Sequence, residues 1–302
     1  MTPCENSPTV SIVITTYQRP VVAMRAIRSA LAQDYPNKKV YIIEDGPETE
    51  LKQIIAGLNL NHVFYISHSK NQGLASARNS GIRCSDGEYI AFLDDDDEWM
   101  QTKISEQIEL ALNADENCAC IYCAAYIVEA NGRILGENRP RLRGSIKREI
   151  EDRGLHTIPS SCLFKRDILI KVGGYDETLK SHIDHDIWMS LAKNDYGCDF
   201  TSTVLVKAYE HNESRITNHL ATRIEATRKF CGKWKPELIA WYGEKTAKQY
   251  LSRFQARVFI MIGNVCRKNG QNLDAFRYYF TALWFDPRNH KCYRNLWRLI
   301  SS

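Results

Sequence analysis

Short unbroken apolar runs alternate with longer amphipathic stretches through the first 130 or so residues. Val10-Ser11-Ile12-Val13-Ile14 reads as a strand, and a helix follows Arg19-Pro20 through Val22, Ala26, Ile27, Ala30 and Leu31. Lys39 to Ile43 reads as a second strand, followed by a helix through Leu51, Ile54 and Ile55. His62 to Ile66 is a third strand, Asn71 to Cys84 a helix, and Tyr89 to Leu93 a fourth strand. Strands that are apolar throughout, rather than at every second position, are buried on both sides. The pattern therefore predicts an α/β fold with a mostly parallel sheet and helices on both faces. Ligands of such sheets sit beyond the carboxyl ends of the strands.

Polar clusters fall at those ends. Thr15-Thr16-Tyr17-Gln18-Arg19 follows the first strand, Glu44-Asp45-Gly46-Pro47 the second, and Asp94-Asp95-Asp96-Asp97 the fourth. Four adjacent carboxylates repel one another, by about 1 kcal/mol per contact pair in water and about 4 kcal/mol near a protein surface. A positive partner is expected there, and hard oxygen donors favour Mg²⁺ or Mn²⁺. Asp97 has a local role open to it, as N-cap of a helix starting at Glu98-Trp99 and running through Ile104, Ile108 and Leu112. In an extended chain alternate residues point the same way, so Asp94 and Asp96 share a side.

Beyond the fourth strand the pattern loosens. CACIYCAAYIV reads as a buried strand, so Cys118, Cys120 and Cys123 pack as small hydrophobes rather than bind metal. Asn131 to Arg153 is polar and basic and reads as a long loop with one short helix. A strand near Ser161 to Phe164, a helix from Asp167 to Val172, the turn Gly173-Gly174, a helix from His185 to Ala192 and a strand from Phe200 to Lys207 follow. After about Ser214 the remainder is helical, and its last stretch resembles a single tetratricopeptide-like hairpin. The expected division is an α/β domain over 1–213, with halves at about 9–130 and 131–213, and a small all-helical domain over 214–302.

Composition sets broad bounds. The 302 residues are 44% hydrophobic and 25% charged, with a net charge of +4 that by itself gives no case for nucleic acid. No run approaches the ~18 apolar residues of a membrane span. The ten cysteines form no disulfide framework, and MTPCENSP has no export pattern. A cytoplasmic protein is expected. Its C-terminus combines Arg277, Arg288, Lys291, Arg294 and Arg298 with Tyr278, Tyr279, Trp284, Tyr293 and Trp297. Such a segment either docks on anionic lipid at the inner face of the membrane or packs its aromatics inward.

VSIVITTYQRP, IIEDGP, NQGLASARNSGI, GEYIAFLDDDDEW, GGYDETL and DHDIWMSLA occur in this order. Together they resemble the successive signatures of family 2 glycosyltransferases across residues 9 to 212. The resemblance implies the GT-A fold, an inverting transfer and a nucleotide-sugar donor, here a UDP-sugar. It makes Thr15, Tyr17 and Arg19 donor contacts, Asp45 the acceptor of the uracil N–H, and Arg78 a base or diphosphate contact. Glu44 departs from the family's usual aspartate. The acidic run matches the DXD motif, with Asp96 as direct Mn²⁺ or Mg²⁺ ligand and Asp94 or Asp95 on the ribose or metal. His211 matches a position that adds a metal or diphosphate contact in some members, with Arg215 near phosphate. Asp184 matches the catalytic base, with Asp186 as the alternative. Ile183-Asp184 replaces the commoner Glu-Asp pair, and both aspartates also suit a helix N-terminus.

His182 and His185 are candidate acceptor contacts, Gly173-Gly174 permit close approach of a sugar, and Trp188 reads as core. The expected acceptor is a glycan or lipid-linked glycan of a bacterial surface polysaccharide such as O-antigen, capsule or lipooligosaccharide. A different class of function, a non-catalytic nucleotide-sugar binder whose helical tail recruits partners, leaves the intact acidic run unexplained. A nucleotidyltransferase would need a glycine-rich loop after the first strand, and TTYQRP has no glycine.

Overall fold

The computed structural model describes residues 7–153, 158–210 and 220–300. The chain divides into two units, Met1–Thr178 with Ile183–Asn212, and Leu179–His182 with Glu213–Ser302.

The first unit opens with β1 (Val10–Thr16), α1 (Pro20–Leu31), β2 (Lys38–Glu44), α2 (Leu51–Gly57), β3 (Val63–Ser67), α3 (Leu74–Cys84) and β4 (Tyr89–Asp94). It continues with β5 (Glu98–Trp99), α4 (Lys103–Leu112), β6 (Cys118–Glu129), β7 (Ile134–Asn138), β8 (Gly144–Ser145) and α5 (Ile146–Arg153). After a 3-10 turn at Pro159–Ser161 come β9 (Leu163–Lys165), α6 (Arg166–Lys171), α7 (Ile183–Lys193) and β10 (Gly197–Glu210). One sheet runs β3-β2-β1-β4-β9-β6-β10-β5, with β7 against β6 and β8 against β10. Strands β1 to β4 pair in parallel, as do β6 and β10, whereas β9 and β5 run antiparallel to their neighbours.

The period of two along each strand assigns every side chain to a layer. Ile12 and Ile14 of β1, Val40 and Ile42 of β2 and Ala91 and Leu93 of β4 join the core that also contains Ala23, Ala26 and Ile27 of α1, Leu51 and Ile55 of α2, and Ile104 and Ile108 of α4. Each such side chain, removed from water, contributes about 1.5–3 kcal/mol. Ser11, Val13, Tyr41 and Phe92 belong to the opposite face, which α3 covers. Gly81 permits this close packing, because any Cβ there would collide with the Val13 side chain. Phe92 meets Tyr175 and Phe164 edge-on, and Phe164 and Tyr122 flank the buried Trp188.

Two local expectations change. Glu98-Trp99 is not the start of a helix but a short strand paired with Val206 and Lys207. Helix α4 begins later, at Lys103, with Thr102 at its N-cap position. Asp97 therefore caps nothing. Asn131 to Arg153 contains the expected short helix, α5, but the rest is not all loop: β7 extends the sheet against β6, and β8 pairs with Gly197 and Cys198. Cys118, Cys120 and Cys123 are buried in β6, as packing residues would be.

The second unit contains α8 (Leu220–Tyr242), α9 (Glu244–Lys268), α10 (Asn272–Phe285) and α11 (His290–Ile300). Phe230 and Phe254 stack at 4.8 Å, and the His182 ring lies against both. Gly263 lets the Tyr279 ring lie on α9, where its hydroxyl donates to Asn264 Oδ1 at 2.7 Å. The C-terminal aromatics divide. Tyr279 is buried, while Phe276, Phe280, Trp284 and Trp297 are exposed. No helix among the described residues is long and apolar enough to cross a membrane.

Candidate active site

The carboxyl ends of β1, β2 and β4 lie side by side, Thr15 pairing with Ile43 on one side and with Asp94 on the other. β4 ends at Asp94, and Asp95 and Asp96 form a turn in which the Asp97 amide donates to the Asp94 carbonyl at 3.0 Å.

Thr16 and Asp95 lie on the α1 side. The Thr16 hydroxyl donates to Asp95 Oδ2 at 2.7 Å, and an Arg19 guanidinium nitrogen donates to Oδ1. Asp95 is buried, and burial pushes its carboxyl up to about 6 against the opposing pull of Arg19 and Thr16. Asp97 is buried as well and also pushed up, by desolvation and then by Asp94 and Asp96. It accepts from Ser160 Oγ at 2.6 Å and from the Tyr209 amide at 3.1 Å. Asp97 thus ties β4 to the Pro159–Ser161 turn and to β10, instead of ending a helix.

Asp94 and Asp96 keep partial contact with water, with 28% and 18% of their side chains exposed. The shared side expected for an extended chain does not carry over, because Asp95 and Asp96 form a turn, and Asp94 meets Arg78 whereas Asp96 meets Arg19. Arg19 reaches Asp96 Oδ2 at 3.6 Å, and Arg25, stacked on the Tyr209 ring, donates to the Asp96 carbonyl. Part of the positive charge demanded by the acidic run therefore comes from arginine. Among the described residues, no group of three or more His, Cys, Asp or Glu side chains is arranged to hold a metal. Two partly exposed carboxylates nevertheless suit Mg²⁺ or Mn²⁺, which keep water and phosphate among their ligands and need only one or two side chains. His211 and Arg215 lie outside the described residues.

On the α3 side, Arg78 departs from a solvated helix-surface arginine. It is fully buried. One terminal nitrogen donates to Asp94 Oδ1 at 2.8 Å and the other to Asp184 Oδ1, with the Tyr175 and Phe92 rings nearby at 5.2 and 5.7 Å. Burial alone would lower the guanidinium pKa, but Asp184 and Asp94 more than reverse this and hold it charged. Its Nε has no hydrogen-bond partner.

Asp184 stands in the first turn of α7, one-third exposed. Burial raises its carboxyl pKa while Arg78 pulls the other way. Asp186, the alternative base, is buried. Of the two, Asp184 alone meets Arg78.

Asp45 is held from several directions. Its Oδ1 accepts the Gln72 amide at 2.8 Å and contacts His68 Nδ1 at 2.8 Å, and its Oδ2 accepts the Gly73 amide at 2.8 Å. His68 Nε2 lies 2.9 Å from Ser80 Oγ, so the imidazole is fixed at both nitrogens. Oδ2 retains room for one further donor. Neighbouring Glu44 points the other way, accepting from the Thr49 hydroxyl at 2.8 Å, the Thr49 amide and the Tyr65 hydroxyl. The Tyr17 ring lies over Gly46, where a Cβ would sit 3.1 Å from Cε2, and is 43% exposed. Thr15 is buried in β1.

The acceptor-side candidates separate. His182 has a left-handed backbone (φ 64°) and bonds Thr227 Oγ1 at 2.9 Å within the helical unit, as a packed histidine. His185 is half-buried on α7. Gly174 packs against Asn79, whose side chain bonds both the Tyr175 amide and carbonyl at 2.8 Å, whereas Gly173 has open space around it. Serine 160 was not anticipated from sequence. It bridges Asp97 and the Asp94 amide, and no local pattern marks it.

The family model for glycosyl transferase family 2 matches residues 11–173. The chain belongs to this family. An uncharacterized glycosyltransferase of Rickettsia typhi is 30% identical over 225 residues, which cover 72% of this chain and 69% of the relative. An Escherichia coli UDP-Glc:alpha-D-GlcNAc-diphosphoundecaprenol beta-1,3-glucosyltransferase is 37% identical over 99 residues, covering 33% of this chain and 39% of that enzyme. Among solved structures, S. aureus TarS 1-349 in complex with UDP-GlcNAc superposes with a TM-score of 0.64 at 17% identity, over 92% of this chain and 81% of that one. The match spans 49% of a longer TarS chain. The mannosyltransferase PcManGT of Pyrobaculum calidifontis, in complex with GDP-Man and Mn²⁺, superposes with a TM-score of 0.59 at 14% identity, over 98% and 85%. These likenesses confirm the GT-A fold of this family 2 glycosyltransferase.

Proposed function

We propose that this family 2 glycosyltransferase moves a sugar from a UDP-sugar, with inversion and with a divalent metal, to a glycan or lipid-linked glycan acceptor in surface polysaccharide synthesis. The observation that carries this reading is Arg78 joining Asp94 to Asp184, with Asp45 and Asp96 just beyond the ends of β2 and β4, which flank β1. The Rickettsia and Escherichia coli relatives support the transferase class, and the activity of the latter favours UDP and a diphospholipid acceptor.

In this account Asp45 Oδ2 accepts the ring N–H of the base, and Tyr17 with Thr15 borders it. Asp94 and Asp96 hold Mn²⁺ or Mg²⁺, which when bound stabilises the charge developing on the departing diphosphate. Asp95 and Arg19 fix the acidic turn from behind. Asp184 accepts the proton of the acceptor hydroxyl as its oxygen attacks the anomeric carbon from the face opposite the diphosphate. The bond from that carbon to the phosphate oxygen breaks, and its electron pair leaves on the nucleoside diphosphate. Partial burial raises Asp184 towards the range where a carboxylate is an effective base.

A binding screen of UDP-, GDP- and TDP-sugars with Mn²⁺ or Mg²⁺ tests the donor class. Preferential metal-dependent binding of a UDP-sugar is expected. Binding of none of them overturns the reading.

A further inference from the structure

The helical unit carries a feature that donor chemistry leaves unused. Helix α10 buries Ala275, Tyr279 and Ala282, leaving Leu273, Phe276, Phe280 and Trp284 outward at helical spacing. Leu273 is 81% and Trp284 82% exposed, and the Phe276 and Phe280 rings stack on each other at 6.4 Å. A soluble helix normally turns such a stripe inward. Here the inward positions are already filled by residues packed on α9, so the stripe is additional apolar surface. The segment that carries it is net positive. Residues 269–302 contain Arg277, Arg288, Lys291, Arg294 and Arg298 against Asp274 and Asp286, a net charge of +3 from five bases and two acids. Arg288, Lys291, Arg294 and Arg298 are all exposed.

We infer that this face of α10 and α11 docks on the surface of a bilayer containing anionic phospholipid. Apolar and aromatic side chains enter the headgroup boundary, and arginine and lysine bind the lipid phosphates, as interfacial amphipathic helices do. The basic surround selects this occupant over a second copy of the same chain, whose equally basic face would repel it. The inference stands apart from the choice of donor or base.

The test is co-sedimentation of the full chain with phosphatidylcholine vesicles, with and without 30% phosphatidylglycerol, alongside sedimentation velocity without lipid. Binding is expected to need the anionic lipid and to weaken steeply in high salt. Charge reversal at Arg288→Glu with Arg294→Glu should lower the partition coefficient at least twentyfold, about fivefold for each base lost. Phe280→Ser with Trp284→Ser should lower it roughly tenfold or more, while metal-dependent donor binding stays at the wild-type level. These exposed positions should leave thermal unfolding unchanged. Equal binding to both vesicle types, or none to either, overturns the inference. So does concentration-dependent self-association that Trp284→Ser abolishes, which would assign the stripe to a second copy.

Discussion

Arg78 donates one hydrogen bond to Asp184 and another to Asp94, so a single buried guanidinium connects the candidate base to the acidic strand end. The two carboxylates come from elements far apart in the chain and would repel each other without it. Arg78→Ala should destabilise the protein by about 3 kcal/mol, because it leaves two half-buried carboxylates uncompensated. Arg78→Lys should recover part of this, since a lysine supplies charge but not the planar fork. Urea unfolding of the two variants checks the order.

Gly81 controls how closely α3 approaches the sheet. Gly81→Ala places a methyl group against Val13 and should cost about 1–3 kcal/mol. Donor binding should weaken with it, because α3 carries Arg78 and its entry loop holds Asp45. Thermal unfolding and nucleotide titration on the same variant check both effects.

Asp95 makes a prediction about pH. Its folded pKa of about 6 lies above the ordinary 3.8, so between these values the folded state binds more protons than the unfolded one. Stability from this group is therefore largest in acid and falls as pH rises from about 4 to about 6, by roughly 3 kcal/mol in full. Asp95→Asn should remove that fall. Chemical denaturation of both proteins from pH 4 to 7, without divalent metal, checks the slope.

His68 holds Asp45 against the α3 entry loop. His68→Ala leaves the two backbone amides in place but frees one side of the carboxylate, and UDP affinity should fall about three- to tenfold. Asp45→Ala should lose more. Calorimetric titration with UDP and Mn²⁺ distinguishes the two.

Much of this architecture was legible in the residues. The apolar strands predicted the parallel sheet, but the period of two expected to set Asp94 and Asp96 on one side stops at Asp94, where the chain turns through Asp95 and Asp96. What local pattern could not show was competition from distant partners. Asp97 has the composition of a helix cap, yet Ser160 and Tyr209, 63 and 112 positions later, take its carboxylate. Glu98-Trp99 pairs with β10 instead of starting α4, because a free sheet edge offers more than one turn of helix. The pairing of Arg78 with Asp184 could not be read from α3, because its partner comes from α7, 106 positions later. Strands β7 and β8 are short and almost entirely exposed, so no sustained apolar run marks them.

The central claim is the separation of roles between Asp184 and Asp96. Its most direct test pairs UDP-sugar titration in Mn²⁺ with a transfer assay on Asp184→Asn and Asp96→Ala. Asp184→Asn should bind donor within about twofold of wild type and lose transfer by roughly 10² to 10⁴. Asp96→Ala should lose donor binding itself. Transfer by Asp184→Asn at nearly the wild-type rate, or unchanged metal-dependent donor binding by Asp96→Ala, would contradict the account.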